Sequence, residues 1–188
     1  MPERAPVRVR IVAAVDELAR TQGWAATTMS HVAETAGVSR QTVYNEFGSR
    51  SALVEAYLLR EIETLIAEVS TAVTAQASDA RAALRTAFEL FLKLASDEPI
   101  VEVLADRAEG GELGRMLTVV GRSIALEQLS PLIVATWPQV TRADADLLVD
   151  ALARLAISHA MLPSADPHDV ADAVTRMIGP FVDQLVRV

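Results

Sequence analysis

The chain has 188 residues and a formal net charge of −8, and its residues are 51% hydrophobic but only 4% aromatic. This length and composition predict a globular chain with a sizeable core in one or two domains, and they exclude a disordered protein. The sequence contains no cysteine, which excludes disulfides, thiolate metal sites and a cysteine nucleophile and is consistent with a reducing cytoplasm.

Neither a signal peptide nor a membrane span is predicted. The first twenty residues lack the apolar core and the small-residue cleavage site of a secretory signal. The most apolar window, residues 147–162, is too short to cross a bilayer and is interrupted by Asp150 and Arg154. We therefore expect a soluble, cytoplasmic protein without a membrane partner.

The charge is distributed unevenly along the chain. Residues 1–60 carry a net charge of +1, whereas residues 61–188 carry −9. Three arginines, Arg4, Arg8 and Arg10, cluster near the start of the first segment. A nearly neutral head with a local basic patch on an acidic body favours a head that binds nucleic acid.

Apolar residues recur at intervals of three and four, which predicts an all-α protein of about nine helices. The first three predicted helices span about residues 7–22, 28–36 and 40–47. Thr27 or Thr28 can cap the second helix and Ser39 the third, because a hydroxyl there accepts a bond from an otherwise unpaired N–H. Gly37 permits the left-handed turn between them. A fourth helix, at about 50–76, is a rod of roughly 40 Å, long enough to belong to both head and body.

Breaks in the pattern divide the remainder of the chain into further helices. Ser78, Thr141 and Asp166 are positioned to cap three of them. Residues 97–99 open a short helix with an early proline. Pro131 is expected to kink or stop a later helix, because proline lacks the backbone N–H that the helix interior requires.

Residues 28–47 have the pattern of a helix-turn-helix, two short helices joined by a turn that contains glycine. The same pattern occurs in structural αα-corners, so the side chains decide between the two interpretations. In the third helix only Val43 and Phe47 are predicted to be buried, and the open face carries groups that can bond to phosphates and base edges. A merely solvated face more often shows Glu and Lys. The third helix is therefore predicted to contact DNA.

This segment resembles the N-terminal domain of the tetracycline-repressor (TetR) family of transcriptional regulators. The residues that carry the resemblance, at the spacing of the family, are Thr28, Val32, Ala33, Ala36, Gly37, Val38, Ser39, Val43, Tyr44, Phe47 and Leu53. The resemblance covers about residues 7–58. The rest of the chain is similar only in the number and layout of its helices.

The resemblance implies a two-part organisation. A helix-turn-helix DNA-binding domain of three helices is expected at residues 1–50, and a helical ligand-binding and dimerisation domain at residues 51–188. The implied function is that of a ligand-responsive regulator, a repressor that binds a palindromic double-stranded DNA operator as a homodimer. A small, largely apolar effector molecule would release it.

The sequence departs from the family at two positions in the DNA-binding domain. Arg50 stands where lysine is usual, and because arginine keeps the charge we expect a phosphate contact there. Gln41 stands where a small residue is common and is expected to give this chain its own sequence preference. The N-terminal arginines are expected to add to the basic patch. The predicted DNA-binding residues are Thr28, Ser39, Arg40, Gln41, Thr42, Tyr44, Asn45 and Arg50.

The last two helices are predicted to form a dimer interface. The window at residues 147–162 has twelve apolar residues in sixteen, more than one buried stripe needs, and in the family these helices pair with those of a second subunit. Packing within one chain is the alternative. Asp150 and Arg154, four residues apart, are expected to form an ion pair within the helix. The predicted interface residues are Leu148, Leu152, Leu155, His159, Val174, Ile178 and Phe181.

The middle helices are expected to enclose the ligand. Each candidate is apolar except Arg122, which either meets a carboxylate or acyl headgroup or forms a surface ion pair. The other reading of the apolar residues is that they belong to the core. The predicted ligand-binding residues are Phe88, Phe91, Leu104, Met116, Val120, Arg122 and Trp137.

No catalytic or metal-binding arrangement is visible in the sequence. His31, His159 and His168 share no ligand spacing, and convergent acid–base groups are lacking. We therefore predict no enzymatic activity, no metal and no cofactor. A helical enzyme, and an adaptor that uses the helix-turn-helix for protein contacts, remain the alternatives: turnover would reveal the first, and a lack of salt-dependent DNA affinity the second.

Overall fold

The computed structural model describes residues 5–24, 27–96, 117–162 and 165–187, and every regular element within them is helical. A π-helical turn at Leu117–Gly121 leads directly into the sixth helix. The all-α prediction is confirmed, while the short helix predicted from residue 97 lies outside the described residues. The α-helices are α1 (Val7–Gln22), α2 (Met29–Ala36), α3 (Arg40–Phe47), α4 (Arg50–Ala75), α5 (Ala80–Ala95), α6 (Arg122–Thr136), α7 (Arg142–Met161) and α8 (Pro167–Val186).

The chain divides into two compact units, and α4 contributes to both. The described residues up to Glu61 belong to the first unit, and those from Ile62 onward belong to the second. The division falls inside α4, eleven residues beyond the position at which the sequence predicts a boundary. The early part of α4 belongs to the first unit because its side chains at Leu53, Val54 and Tyr57 are buried.

The first unit is built around the apolar faces of three short helices. α1 packs on α2, and α2 packs on α3. Ile11 of α1, Val32 of α2 and Val43 of α3 are fully buried. Burial of these faces is the main favourable contribution to the stability of helices this short, which are marginal in isolation.

The ends of the short helices are fixed by local hydrogen bonds that the sequence predicts. The Thr28 hydroxyl accepts from the His31 N–H at 3.3 Å, and the Ser39 hydroxyl accepts from the Thr42 N–H at 3.0 Å. Between them Gly37 has φ of +63°, a conformation in which any other residue is strained. The turn of the helix-turn-helix is therefore determined by residues within it.

The second unit is held by α5, α7 and α8 around a shared apolar core. Phe88 and Leu92 of α5, Ala156 of α7 and Val174 of α8 are buried together. A second cluster joins α4, α6 and α7 through Ile66, Ala125 and Val149. A third joins α5, α7 and α8 at Leu84, Leu148 and Val182.

The structure corrects one local prediction for this unit and narrows another. α5 is capped by Asp79, whose Oδ1 accepts from the Ala82 N–H at 3.0 Å, and not by Ser78. Asp79 directly precedes the first helical residue, which is where a capping side chain must lie. Of the two outcomes predicted at Pro131, a kink or a stop, the stop does not occur, because α6 continues through Pro131 to Thr136. The packing of α6 against α4 and α7 compensates for the backbone hydrogen bond that proline cannot make.

The starts of the last two helices are as predicted. The Thr141 hydroxyl accepts from the Asp144 N–H at 3.1 Å and donates to the Asp144 carboxylate at 2.7 Å. Asp166 accepts from the His168 N–H at 2.9 Å, and Pro167 occupies the first turn of α8. In both cases the capping residue satisfies one of the N–H groups that the helix leaves unpaired.

Candidate nucleic-acid interface

α3 has one buried face and one polar, exposed face. Val43 and Phe47 are buried, one turn apart, as the sequence predicts. The other six positions carry hydrogen-bonding side chains, of which Thr42 is half-buried and the rest are exposed: Arg40, Gln41, Tyr44, Asn45 and Glu46. A short helix that offers such groups to solvent has the chemistry required for contact with DNA.

The exposed side chains of α3 are paired along the helix. The Gln41 Nε2 donates to the Asn45 Oδ1 at 2.9 Å. The Arg40 Nη2 donates to the Tyr44 hydroxyl at 3.4 Å, and the guanidinium lies 5.5 Å from the Tyr44 ring centroid. These i, i+4 pairs order long side chains before they meet a partner.

Three predicted DNA-binding residues are part of the caps. Ser39 and Thr42 hold the first turn of α3 through the backbone bond described above, and their hydroxyls lie 2.8 Å apart. Thr28 caps α2 at the end of that helix remote from the turn. Ser39 and Thr42 therefore fix the position at which α3 begins, and Thr28 fixes that at which α2 begins.

Arg50 lies at the first residue of α4, and its guanidinium is 5.1 Å from the ring centroid of Trp24. Trp24 is buried and stacks on the fully buried Tyr57 with the ring centroids 6.2 Å apart. No local pattern indicates this stack, because Trp24 and Tyr57 are 33 residues apart and outside the helix-turn-helix.

Arg8 and Arg10 contact the C-terminal ends of the two helices of the helix-turn-helix. The Arg8 Nη1 donates to the Glu46 carbonyl at 2.8 Å, and its guanidinium lies 4.3 Å from the Phe47 ring centroid. The Arg10 Nη2 donates to the Ala36 carbonyl and, at 3.3 Å, to the Gly37 carbonyl. A positive charge at a helix C-terminus is favourable because the last carbonyls carry partial negative charge.

These contacts give the N-terminal arginines a role that the sequence did not predict. We expected them to enlarge a phosphate-binding patch, but the donors just described bind carbonyl groups within the same unit. Arg4 lies outside the described residues. The partners of Arg8 and Arg10 lie 38 and 26 residues further along the chain, so no local pattern marks them.

Comparison with family models covers most of the chain. A model described as bacterial regulatory proteins of the tetR family matches residues 11–57, and a model described as the C-terminal domain of the bacterial tetracyclin repressor matches residues 79–180. The chain belongs to the TetR family. It is a transcriptional regulator with a helix-turn-helix DNA-binding domain and a ligand-binding domain, and the related proteins are regulators rather than enzymes.

Individual proteins extend this comparison. The HTH-type transcriptional regulator AlkX of Mycobacterium tuberculosis is 34% identical over 184 residues, which cover 96% of this chain and 87% of that protein. The crystal structure of the TetR family repressor AlkX from a Dietzia strain, implicated in biodegradation of n-alkanes, superposes with a TM-score of 0.82 at 30% identity over 98% of this chain and 100% of that one. The fatty acid degradation regulator FadR from Bacillus halodurans shares the TetR fold, with a TM-score of 0.58 at 18% identity over 94% and 96% of the two chains.

The described members of the predicted effector-binding set of this TetR protein do not gather at one point. Phe88 is buried in the core between α5, α7 and α8, and the half-buried Phe91 packs against it. Arg122 and Trp137 lie at opposite ends of α6, roughly 22 Å apart at 1.5 Å per residue. The half-buried Val120 lies in the π-helical turn next to Arg122, whereas Leu104 lies outside the described residues, as does Met116.

The polar atoms of Arg122 and Trp137 have partners within the chain. The Arg122 Nε donates to Asp150 of α7, and Asp150 also accepts from the Arg154 Nε at 2.9 Å, as the spacing predicts. Hydrogen bonds from Arg154 and Arg122 lower the pKa of Asp150. The Trp137 indole N–H donates to the Ala77 carbonyl at 2.9 Å. Arg122 thus forms the ion pair that was one of its two predicted outcomes.

The predicted dimer-interface residues pack largely within the subunit. Leu148 and Val174 are buried in separate apolar clusters, and His159 lies edge-on to Phe88 with the ring centroids 6.4 Å apart. The half-buried members, which pack against the same clusters, are Leu152, Leu155, Ile178 and Phe181. Leu147 and Met177, on the same two helices, are 59% and 63% exposed.

Two ion pairs join α5 to α8. The Arg81 guanidinium binds both carboxylate oxygens of Asp183, at 2.7 and 2.6 Å, and the Arg85 Nε donates to Asp172. These hydrogen bonds lower the pKa values of Asp183 and Asp172. Gly179 allows the first pair to form, because a Cβ there would lie 3.0 Å from the Arg81 Cζ.

The described residues contain neither a membrane-spanning helix nor a cluster of metal ligands. No helix in this part of the chain is long and apolar enough to cross a membrane. Within the same residues, no three histidine, aspartate or glutamate side chains gather so that they could hold a metal ion.

Proposed function

We propose that this regulator represses transcription by binding a palindromic operator as a homodimer, and that a small, largely apolar molecule releases it. The observation that carries the proposal is the exposed, hydrogen-bonding face of α3 on a head whose turn and helix ends are fixed by internal bonds. One such helix per chain reads one half-site. Two chains related by a twofold axis read two half-sites, one helical turn or a little more apart.

Exposed apolar side chains on α7 and α8 support the dimer. Leu147 and Met177 present more than half of their surface to solvent in the single chain. Large apolar side chains exposed on the same helices are candidates for burial against a second chain. We therefore propose that these two residues lie at the interface, with the half-buried Leu155 and Phe181 beside them.

The dimer can be tested by charge insertion. We expect Leu147→Glu and Met177→Glu to shift the protein from dimer to monomer in sedimentation velocity, because burial of the new carboxylate is unfavourable. Val119→Glu changes an equally exposed apolar residue elsewhere in the second unit and is the control. A wild-type protein that sediments as a monomer and protects one isolated half-site in a footprint would refute the proposal.

The effector is proposed from the apolar character of the second unit and from its relatives. The Dietzia AlkX repressor is implicated in n-alkane biodegradation, which favours a ligand with a long alkyl chain. Ligand packed among the helices of the second unit would act on the head through α4, the helix that both units share. The two recognition helices would then no longer fit successive major grooves together.

The effector is tested by thermal shift against n-alkanes, fatty acids, acyl thioesters and hydrophobic drugs, followed by affinity measurements with and without operator. A coupling free energy of about 1–3 kcal/mol is typical, and linkage requires operator DNA to weaken ligand binding by the same factor that ligand weakens DNA binding. A compound whose affinity is the same with and without operator is not the effector.

A further inference from the structure

Gln41 and Asn45 occupy the part of α3 that points most directly away from the core of the first unit. With 100° per residue, the midpoint between them lies about 160° around the helix from the midpoint between the buried Val43 and Phe47. The midpoint between Arg40 and Tyr44 lies only about 60° from the buried side. In a recognition helix that enters the major groove, Gln41 and Asn45 therefore face the floor of the groove, and the other pair faces a wall.

The hydrogen bond between the two amides determines which of their polar atoms remain available. The Gln41 Nε2 donates to the Asn45 Oδ1 at 2.9 Å, and both side chains are exposed. The Gln41 Oε1 is left as an acceptor and the Asn45 Nδ2 as a donor. Rotating both amides by 180° reverses the direction of the bond but leaves the same outward set, one acceptor and one donor.

Among the four bases, adenine presents the complementary pair of groups in the major groove. Its N6 amine donates and its N7 accepts, whereas guanine offers two acceptors, cytosine a donor, and thymine an acceptor beside a methyl group. We infer that Gln41 and Asn45 act as one unit that reads an adenine in each half-site. This inference rests on the proposed operator binding and names a base that the two residues recognise.

Selection of binding sites from a randomised duplex library distinguishes paired reading by Gln41 and Asn45 from two independent contacts. The wild-type protein is expected to select an inverted repeat with a fixed adenine in each half. Gln41→Ala and Asn45→Ala are each expected to lose the preference at that same position, by roughly 5- to 150-fold. The double variant should lose no more of this preference than either single variant, because each change alone breaks the pair.

The predicted contact with the adenine N7 is tested with a modified duplex. Replacing the selected adenine by 7-deazaadenine keeps the Watson–Crick pair but removes the N7 acceptor. Wild-type affinity should fall, while the affinities of Gln41→Ala and Asn45→Ala should be the same for both duplexes. Glu46→Gln alters another exposed side chain of α3 and is the control, expected to keep the wild-type response to both duplexes.

The outcomes separate this inference from the function on which it rests. If the wild-type protein selects no sequence, operator binding and the inference both fail. If it selects a palindrome but both single variants keep the adenine preference, or lose preferences at different positions, or lose affinity additively, then operator binding stands and the paired reading is wrong.

Discussion

Arg50 illustrates how a single side chain near the DNA-binding helix is positioned by the core beneath it. Its guanidinium lies over the face of Trp24, and Trp24 is stacked in turn on Tyr57. A cation over an indole ring is stabilised by about 0.5–1 kcal/mol when it remains accessible to solvent. The side chain is thus held at the start of α4.

Removing this charge should weaken DNA binding without changing which sequence is preferred. We expect Arg50→Ala to reduce affinity for all duplexes and to lower the slope of log affinity against log salt by about one unit, because one phosphate contact displaces about one counterion. Fluorescence anisotropy at several salt concentrations measures both quantities. Arg60→Ala removes an equal charge from an exposed position further along α4 and should leave the slope unchanged. A change in base preference alone would contradict the assignment.

At the scale of the elements, α1 contacts the C-terminal ends of both helices of the helix-turn-helix. Arg8 binds the C-terminal end of α3 and Arg10 that of α2, so one helix supplies a positive charge to two helix ends. Each charge at a helix end contributes about 0.3–1 kcal/mol. These two arginines therefore stabilise α2 and α3 from α1, in addition to the bonds within the turn.

Arg8→Ala and Arg10→Ala should each lower the free energy of unfolding by about 0.3–1 kcal/mol and reduce operator affinity while leaving the salt slope at its wild-type value. The slope is the distinguishing quantity, since the described donors of these arginines bind carbonyl groups rather than phosphates. Urea unfolding and binding isotherms over a range of salt provide the measurements. A slope that falls by about one unit, as expected for Arg50→Ala, would show that the arginine contacts phosphate.

The start of α5 offers a second test at this scale. Asp79 accepts from the Ala82 N–H, so Asp79→Ala should cost about 0.5–2 kcal/mol of stability. Ser78→Ala changes the residue that the sequence favoured as the cap and should have an effect close to zero. Urea unfolding of the two variants compares them directly, and a larger loss for Ser78→Ala would be inconsistent with the observed cap.

For the molecule as a whole, stability of the second unit is linked to pH through the carboxylates that join its helices. Hydrogen bonds from Arg85 and Arg81 lower the pKa values of Asp172 and Asp183, and those from Arg154 and Arg122 lower that of Asp150. A carboxylate with a lowered pKa in the folded state stabilises that state above the unfolded pKa, which is about 3.9 for aspartate. The contribution is lost as the pH falls through the lower folded pKa.

We therefore expect the free energy of unfolding to be nearly constant from pH 7 to about 5 and to decrease below about pH 4, as these ion pairs are protonated. Asp172→Asn should be less stable than the wild type at pH 7 and should lose less stability on acidification. Glu127→Gln, which neutralises an exposed carboxylate on α6, is the control for a change of charge alone. Equilibrium urea unfolding at pH steps from 7 to 2 gives the comparison. If Asp172→Asn lost as much stability on acidification as the wild type, the Arg85–Asp172 ion pair would be ruled out as a source of the acid sensitivity.

The sequence by itself determined the features that depend on neighbours within about four residues. The apolar spacing and the caps at Thr28 and Ser39 specify α2 and α3, and Gly37 specifies the turn between them. The exposed face of α3 follows, since burial of Val43 and Phe47 leaves the remaining side chains outside. The family resemblance followed from the same short segment.

Only the tertiary structure decided what happens between residues that are distant in the chain. The side chains of Arg8 and Arg10 can bind either phosphate or carbonyl groups. Where α1 packs against α2, these two side chains donate to carbonyl groups at the ends of α3 and α2. The apolar surplus on α7 and α8 could serve one chain or two, and the fold placed Leu148 in the subunit core while leaving Leu147 exposed. A local pattern states which side chains are apolar or charged, but the partner of each is set by the packing of elements tens of residues apart.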